Sequence, residues 1–316
     1  MGGLLSELGK KLAERWLTLL VLPGVLYLAV AVAAHTLGQA HALDVGRLTD
    51  HITAWAGAPA AKTIGGQVVL LAAVLAGAAA VGLAAQAIGS LTEQIVLAAN
   101  WRTWPRPVRT LTARRVDRRA TRWADAHAAY HHHRESAAVA RTRGERADPA
   151  PRHEARRTRD RIAVEPSDRP TWSGDRIHAV ALRLDRDLLL DFAVVWPHLW
   201  LHLPETVRTE ITAARTAVTR ATTLGGWTLL YAPLTLLWWP AAPLTGVLAL
   251  ISRHRIRTAV DIYAQLLEAV TRLHAVDLAR HLGIDHTGPL TPGVGTTLTA
   301  LLRTQPPPPA APSPTR

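Results

Sequence analysis

Residues 67–87, QVVLLAAVLAGAAAVGLAAQA, decide the fold, and this stretch contains no charged side chain. An uncharged apolar run of about 20 residues is long enough, as a helix, to cross the hydrocarbon core of a bilayer. Soluble domains instead interleave apolar and charged residues at the period of a helix or a strand. The stretch therefore predicts a membrane-spanning helix, and the rest of the chain is interpreted around it.

The overall composition agrees with a membrane protein and excludes several kinds of chemistry. The chain has 316 residues, 48% of them apolar, a net charge of +12 and no cysteine. Without cysteine there are no disulfides, thiolate nucleophiles, iron–sulfur ligands or cysteine-based zinc sites. Excess positive charge beside membrane spans indicates anionic lipid headgroups as the first partner and nucleic acid as the second.

A second apolar stretch lies nearer the N-terminus. Residues 16–34 are uncharged and follow a short basic segment, which predicts another span. A secretory signal peptide is the alternative, because residues 40–42 (Ala-His-Ala) loosely resemble a cleavage site. The apolar stretch is long for a signal peptide and the triplet lies well beyond its end. We therefore expect an uncleaved span, and residues 1–100 form an N-terminal membrane region with two spans.

Small and polar residues share one face of the span at residues 67–87. Gly82, Gln86, Gly89 and Glu93 follow the spacing i, i+4, i+7, i+11. Small residues allow membrane helices to approach closely, and amides can hydrogen-bond across such a contact. We therefore predict that this face packs against another span or another copy of the chain. An ionisable Glu93 could instead mark an ion path, or be hydrated at the membrane interface.

The next segment, residues 101–170, is rich in arginine. Residues 108–146 are compatible with a helix, and the Pro- and Arg-rich residues 147–170 predict a flexible linker. Tryptophan at the headgroup level with arginine just beyond it is typical of the cytoplasmic edge of a span. The predicted lipid-interface residues are Trp101, Arg102, Trp104, Arg106 and Arg109.

Residues 171–221 predict cytoplasmic or interfacial helices, and residues 222–252 predict a membrane hairpin. Residues 224–251 are uncharged, and as one straight helix they would measure about 42 Å, more than a hydrocarbon core of about 30 Å. Three prolines also oppose a straight helix. Arginines flank the block on both sides, so the positive-inside rule favours a hairpin with two cytoplasmic ends over one kinked span.

The C-terminal part of the chain is predicted to be an amphipathic cytoplasmic helix, residues 253–287, followed by a disordered Pro-rich tail, residues 288–316. His274, Asp277 and His281 follow i, i+3, i+7 spacing and are the candidates for a metal or catalytic cluster. The same residues also suit the wet side of an amphipathic helix, so no metal or cofactor is expected.

A further pattern runs through the C-terminal half of the sequence. It consists of Pro170-Thr171, then Gly174-Asp175-Arg176, then residues 196–200 (Trp-Pro-His-Leu-Trp), and then Leu203-Pro204. In this order, ahead of a charged helix and an apolar block, it resembles uncharacterised multi-pass membrane proteins of high-GC Gram-positive bacteria. The resemblance implies a membrane address and a bacterial source, and it implies no activity and no functional residue.

These observations predict an all-α, multi-pass integral membrane protein with two N-terminal transmembrane helices, a C-terminal transmembrane hairpin and cytoplasmic amphipathic helices. Both termini are expected in the cytoplasm. The predicted role is that of a non-enzymatic scaffold or anchor in the cell membrane, whose basic region contacts anionic lipid and whose helices contact a protein partner or further copies of the chain. The alternatives are a channel, and a membrane enzyme that uses the His/Asp cluster.

Overall fold

A computed structural model describes residues 21–303, and every regular element in this range is helical. The prediction of an all-α chain is confirmed for these residues. A short 3-10 helix covers Trp101–Thr103. The α-helices are α1 (Leu22–Leu37), α2 (Val45–Ala56), α3 (Pro59–Lys62), α4 (Ile64–Leu97), α5 (Arg106–Thr142), α6 (Ala150–Ile162), α7 (Trp172–Leu188), α8 (Phe192–His202), α9 (Glu205–Tyr231), α10 (Leu234–Leu237), α11 (Ala241–His281) and α12 (Pro292–Leu302).

Two compact units share these helices. The first contains the described residues up to Ile95 together with Ala217–Ile256, and the second contains Val96–Thr216 and the described residues from Arg257 onward. The beginning of the predicted first span, residues 16–20, and residues 304–316 of the predicted tail lie outside the described residues.

In the first unit, close helix contacts are made through glycine. A Cβ atom on Gly24 of α1 would overlap the carbonyl oxygen of Ala78 in α4. A Cβ on Gly226 of α9 would overlap the carbonyl of Ala85 in α4. Backbones that approach so closely gain van der Waals contact, which a side chain larger than glycine would prevent at these positions.

The uncharged C-terminal block folds as a helical hairpin within the first unit. Helix α9 ends at Tyr231, and α11 begins at Ala241 after the short α10. Near the base of the hairpin, the Ser252 hydroxyl donates to the carbonyl oxygen of Ala221 at 3.3 Å, so the two arms run antiparallel. The turn contains residues 238–240, Trp-Trp-Pro, where proline cannot continue a helix.

The tip of this hairpin contacts the loop that follows α1. The amide nitrogen of Gln39 donates to the carbonyl oxygens of Thr235 at 3.1 Å and Leu236 at 2.9 Å. The indole nitrogen of Trp238 donates to the carbonyl of Ala42 at 2.9 Å. Helix segments of the first unit are therefore joined at the tip as well as along their lengths.

The second unit has a conventional buried core. Its fully buried side chains come from α7, α8, the part of α11 that follows Ile256, and α12. Helix α7 ends at Leu188, its C-cap residue Leu189 has a φ of 51°, and Asp191 then caps α8. The core residues include Val180, Leu184, Leu190, Val195, Leu199, Leu267, Leu278 and Leu298.

Two segments that the sequence predicted to be irregular are helical. The flexible linker at residues 147–170 contains α6, which packs against α5. Pro149 and Pro151 lie at the start of α6, where a missing N–H has no cost, and arginine is a good helix former. The predicted tail at residues 288–316 contains α12, whose Leu298 is fully buried in the core. The amino-acid composition of these segments did not predict either helix, because both are stabilised by tertiary packing.

Candidate functional site

The face of α4 that contains Gly82 and Gly89 is buried within the first unit, whereas Gln86 lies off it. Gly82 and Gly89 are buried, and so are Ala78 and Ala85. Gln86 is exposed, which corrects its assignment to this face. The buried residues follow the spacing 78, 82, 85, 89. Residue 85 therefore lies on the buried face of α4, and residue 86 points about 100° away from it.

Glu93 extends this face by one turn. The hydroxyl of Thr222, a fully buried residue of α9, donates to a carboxylate oxygen of Glu93 at 3.3 Å. Glu93 itself is half-buried. Within the first unit this carboxylate therefore takes part in a polar contact between two helices.

The predicted lipid-interface residues divide into two groups. Trp101 is buried with Ala98 and Val116, and its indole nitrogen donates to the carbonyl of Asp168 at 3.1 Å. Its assignment to the lipid interface is therefore wrong, because the indole is covered by protein. Trp104 packs half-buried against the same cluster.

The three arginines of that set are exposed, and they differ in their partners. Arg102 forms an ion pair with Asp168 at 2.7 Å between Nη2 and Oδ1. Arg106 and Arg109, in the first turn of α5, have no ion-pair partner among residues 21–303. These two remain compatible with a solvated or lipid-facing surface.

A buried carboxylate organises the start of α7. Asp175 Oδ1 accepts from the backbone N–H groups of Asp168 at 3.0 Å and Arg169 at 2.7 Å. Asp175 Oδ2 accepts from the Ser167 hydroxyl and from Arg119 Nη2, each at 2.7 Å. Four donors satisfy this carboxylate, which is the condition under which a buried charge is stable.

Arg119 and Arg115 connect α5 to the same segment. Arg119 Nη2 also donates to the carbonyl of Ile162 at 2.7 Å, and Arg115 Nε donates to the carbonyl of Pro170 at 2.9 Å. Thr171 caps α7 by accepting from the Gly174 N–H at 3.0 Å. Arginines that the sequence grouped as one basic run therefore include two that hold the structure together.

Five arginines in the first half of α5 line an exposed groove of about 610 Å³, which we call the arginine groove. Arg114, Arg118 and Arg122 lie one turn apart along it and are exposed. None of the three has an ion-pair or hydrogen-bond partner in the part of the chain that the structure describes. The groove is lined by Val108, Leu111, Thr112, Arg114, Arg115, Arg118, Arg119 and Arg122.

A closed ring of alternating charges lies elsewhere in the second unit. Each arginine in it contacts two carboxylates, and each carboxylate contacts two arginines, at 2.6–3.2 Å. Hydrogen bonding from Arg272 lowers the pKa of Asp187, and hydrogen bonding to Glu165 raises the pKa of Arg186. In order around the ring, the members are Glu165, Arg183, Glu268, Arg272, Asp187 and Arg186.

The His/Asp candidates on α11 are not brought together. His274 Nδ1 lies 3.5 Å from Asp277 Oδ2, whereas the ring of His281 packs against His202 with centroids 5.0 Å apart. Asp277 also accepts from Arg280 at 3.0 Å. Within residues 21–303, no group of three or more His, Asp or Glu side chains is arranged to hold a metal ion.

The sequence alone does not reveal the role of Asp175 or the closed ring of alternating charges, which we call the ion ring. The only local signal for Asp175 is a carboxylate in the first turn of a helix capped by Thr171. The ring joins residues more than 80 positions apart, such as Arg183 and Glu268, and no spacing rule finds it. No protein-family model, no curated protein and no solved structure matches the chain.

Proposed function

We propose that this chain is a multi-pass integral membrane protein that acts as a non-enzymatic scaffold or anchor, with both termini in the cytoplasm. The observation that carries the proposal is the surface of α4. This 34-residue helix is long and apolar enough to cross a membrane, and its large side chains are exposed: Ile64 by 83%, Val69 by 69% and Leu71 by 61%. The core helix of a soluble protein would bury such side chains, whereas lipid can cover them.

The distribution of charge in the first unit supports additional spans. Residues 21–43, 64–92 and 221–252 contain no Asp, Glu, Lys or Arg. Glu93, Arg220 and Arg253 lie where α4 and the two hairpin arms leave the uncharged stretches. Helices whose charges are confined to their ends suit a hydrocarbon core, in which each central charge is costly. We therefore propose that α1, α4 and the hairpin all lie in the bilayer.

Contacts at the hairpin tip support a hairpin over one kinked span. Gln39 and Ala42, which follow α1, bind residues 235–239 of the tip. If α1 crosses the membrane from the cytoplasm, its loop and the tip belong to the same, outer side. The base of the hairpin, with Arg220 and Arg253, then belongs to the inner side, as the positive-inside rule requires.

Helix α5 supports a cytoplasmic basic region in contact with anionic lipid. It begins at Arg106, shortly after α4 ends at Leu97 in the sequence. A cluster of arginines immediately beyond a span attracts anionic headgroups. The proposed partners are therefore anionic lipid and either a cytoplasmic protein or further copies of the chain. The resemblance to membrane proteins of high-GC Gram-positive bacteria fits the same proposal.

The test is single-cysteine accessibility, for which the Cys-free chain is its own background. One cysteine is placed in turn at Ala54 in α2, Ala242 in α11, Ala128 in α5 and Ala310, and intact cells are labelled with an impermeant maleimide. The first three positions are exposed on the protein surface. We expect labelling at Ala54 and Ala242, and labelling at Ala128 and Ala310 only after lysis.

Each other outcome contradicts a specific part of the proposal. Labelling of Ala310 in intact cells would exclude the hairpin, and labelling of Ala128 would reverse the orientation. Recovery of the whole chain in the carbonate-soluble fraction would exclude integral insertion. The scaffold role is tested in proteoliposomes, where we expect no ion flux above empty vesicles. A flux that Glu93→Ala abolishes would replace the scaffold with a channel.

A further inference from the structure

The arginine groove of α5 has the chemistry of a phospholipid site. We propose that two successive arginines of the set Arg114, Arg118 and Arg122 bind the phosphate of an anionic phospholipid headgroup, while Val108 and Leu111 contact its acyl chains. This proposal rests on the proposed membrane location. It goes further because it names one groove as the place where the basic region binds lipid.

The arginines that line the groove differ in their hydrogen-bond partners. Arg115 and Arg119 donate to protein oxygens, and Arg119 is also neutralised by Asp175. Arg114, Arg118 and Arg122 have no such partner among the residues that the structure describes. A guanidinium in this state keeps all of its donors available, and its planar fork matches the oxygens of a phosphate.

The three arginines of the groove that have no partner among residues 21–303 are regularly spaced along α5. Arg114, Arg118 and Arg122 follow i, i+4, i+8, so successive Cα atoms rise by about 6 Å on the same side of α5. One phosphate can lie between two successive guanidiniums at this spacing, and the third adds a positive potential along the groove. The carboxylates of Asp117 and Asp125 on the same helix do not line the groove.

One end of the groove is apolar. Leu111 is 66% exposed and Val108 is 45% exposed, one turn apart at the start of α5. Exposed apolar side chains beside a row of arginines are the pattern of helices that lie at the membrane interface. The groove therefore offers a polar and an apolar surface in the order that a phospholipid presents them.

The lining of the groove favours lipid over single-stranded nucleic acid. Base recognition without sequence preference relies on aromatic stacking, and no aromatic side chain from residues 21–303 lines the groove. The nearby Trp101 is buried, and Trp123 donates to the carbonyl of Ala163 at 2.9 Å while its ring stacks on His127. Both of these tryptophans are therefore engaged in contacts within the protein.

The experiment measures binding of short-chain lipids to the full-length protein in non-ionic detergent. The probes are dihexanoyl phosphatidylglycerol and, as a neutral reference, dihexanoyl phosphatidylcholine, followed by titration calorimetry. The test variant is Arg114→Gln/Arg118→Gln/Arg122→Gln. The matched control is Arg134→Gln/Arg141→Gln/Arg143→Gln, which removes the same charge from exposed positions at the C-terminal end of α5, outside the groove.

We expect saturable binding of phosphatidylglycerol, weakened about 100-fold in the groove variant and less than about threefold in the control. Equal weakening in both variants would overturn the proposal, because net charge alone would then explain binding. Unchanged binding in the groove variant would overturn it as well. If inorganic phosphate binds as tightly as the lipid, the acyl chains do not contribute to binding and that part of the proposal is wrong. If a single-stranded oligonucleotide binds more tightly than the lipid, and the groove variant weakens it, the groove is a nucleic-acid site.

The failure of this proposal can be distinguished from failure of the proposed function. Carbonate extraction of the groove variant reports on membrane insertion and does not depend on the three arginines. A groove variant that stays in the membrane pellet but keeps its affinity for phosphatidylglycerol refutes only the lipid site. A wild-type chain that leaves the membrane on extraction refutes the proposed function, whatever its affinity for lipid.

Discussion

Arg119 and Asp175 form an ion pair of 2.7 Å between Nη2 and Oδ2, although they are 56 positions apart in the sequence. The side chains are 18% and 2% exposed, respectively. Through this pair, α5 is tied to the first turn of α7 and to the segment that connects α6 with α7. The stability of the second unit should therefore depend on it more than on any exposed ion pair of the chain.

Replacing Asp175 by asparagine should destabilise the protein by about 3 kcal/mol. The variant leaves Arg119 charged and largely buried without its carboxylate, which is the costly way to break a buried pair. The measurement is the midpoint of chemical unfolding in detergent. Asp125→Asn, at an exposed position of α5, should change stability by less than about 0.5 kcal/mol. Equal stability of both variants would show that the pair contributes little.

Enlarging Gly226 should loosen the contact between α9 and α4. A Cβ atom there would overlap the Ala85 carbonyl and lie 2.8 Å from the backbone nitrogen of Gly89, so Gly226→Val should cost about 1–3 kcal/mol. Gly246→Val, in the hairpin arm of α11, serves as the control, because a Cβ there would meet no atom of residues 21–303 within 4 Å. Thermal unfolding in detergent reports the difference. A midpoint that falls equally in both variants would contradict the close approach.

Enlarging Gly295 should detach α12 from the core of the second unit. A Cβ on Gly295 would overlap the carbonyl oxygen of Leu188, whereas one on Gly293 would meet nothing within 4 Å in the described part of the chain. We expect Gly295→Val to expose Leu298 and increase amide exchange in α12, with a loss of about 2–3 kcal/mol. Gly293→Val should leave the exchange rates unchanged. Rapid exchange of α12 in the wild-type protein would show instead that this helix is not held in the core.

The ion ring should make stability depend on acidic pH through Asp187. Its pKa is lowered in the folded protein, chiefly by the hydrogen bond from Arg272. The unfolded chain therefore binds the proton more readily, so the contribution is complete above the unfolded pKa of about 4 and is lost as the pH falls through the lowered folded value. Asp187→Asn should be less stable than wild type at pH 7, and the two should converge as the pH falls below the lowered folded pKa of Asp187.

The control for the ion ring is Asp185→Asn, an exposed carboxylate on the same helix. It should retain the wild-type dependence on pH. High salt should reduce the difference between Asp187→Asn and wild type at pH 7, because Asp187 is 37% exposed and its ion pairs are screened by solvent ions. A gap that persists undiminished at about 1 M salt would indicate a packing effect and contradict the electrostatic account.

The sequence by itself determined the helical class and the apolar character of α4. Both follow from local properties: a long uncharged apolar run can satisfy its backbone hydrogen bonds within one helix, and its length and composition are visible in residues 67–87. The spacing of Gly82 and Gly89 placed both residues on one face of α4, because helical periodicity fixes which residues share a face, and both are buried. Glu93 followed from the same periodicity, although its partner Thr222 did not.

Only the tertiary structure decided which members of a uniform run of side chains face the protein. Arg118 and Arg119 are neighbours of the same chemical type, yet Arg118 is exposed on the groove and Arg119 is paired with Asp175. Trp101 is buried for the same reason, since Val116 of α5 packs on it. Burial and ion pairing depend on which face of a helix a distant segment covers, and that information is distributed over positions too far apart for any local pattern to carry.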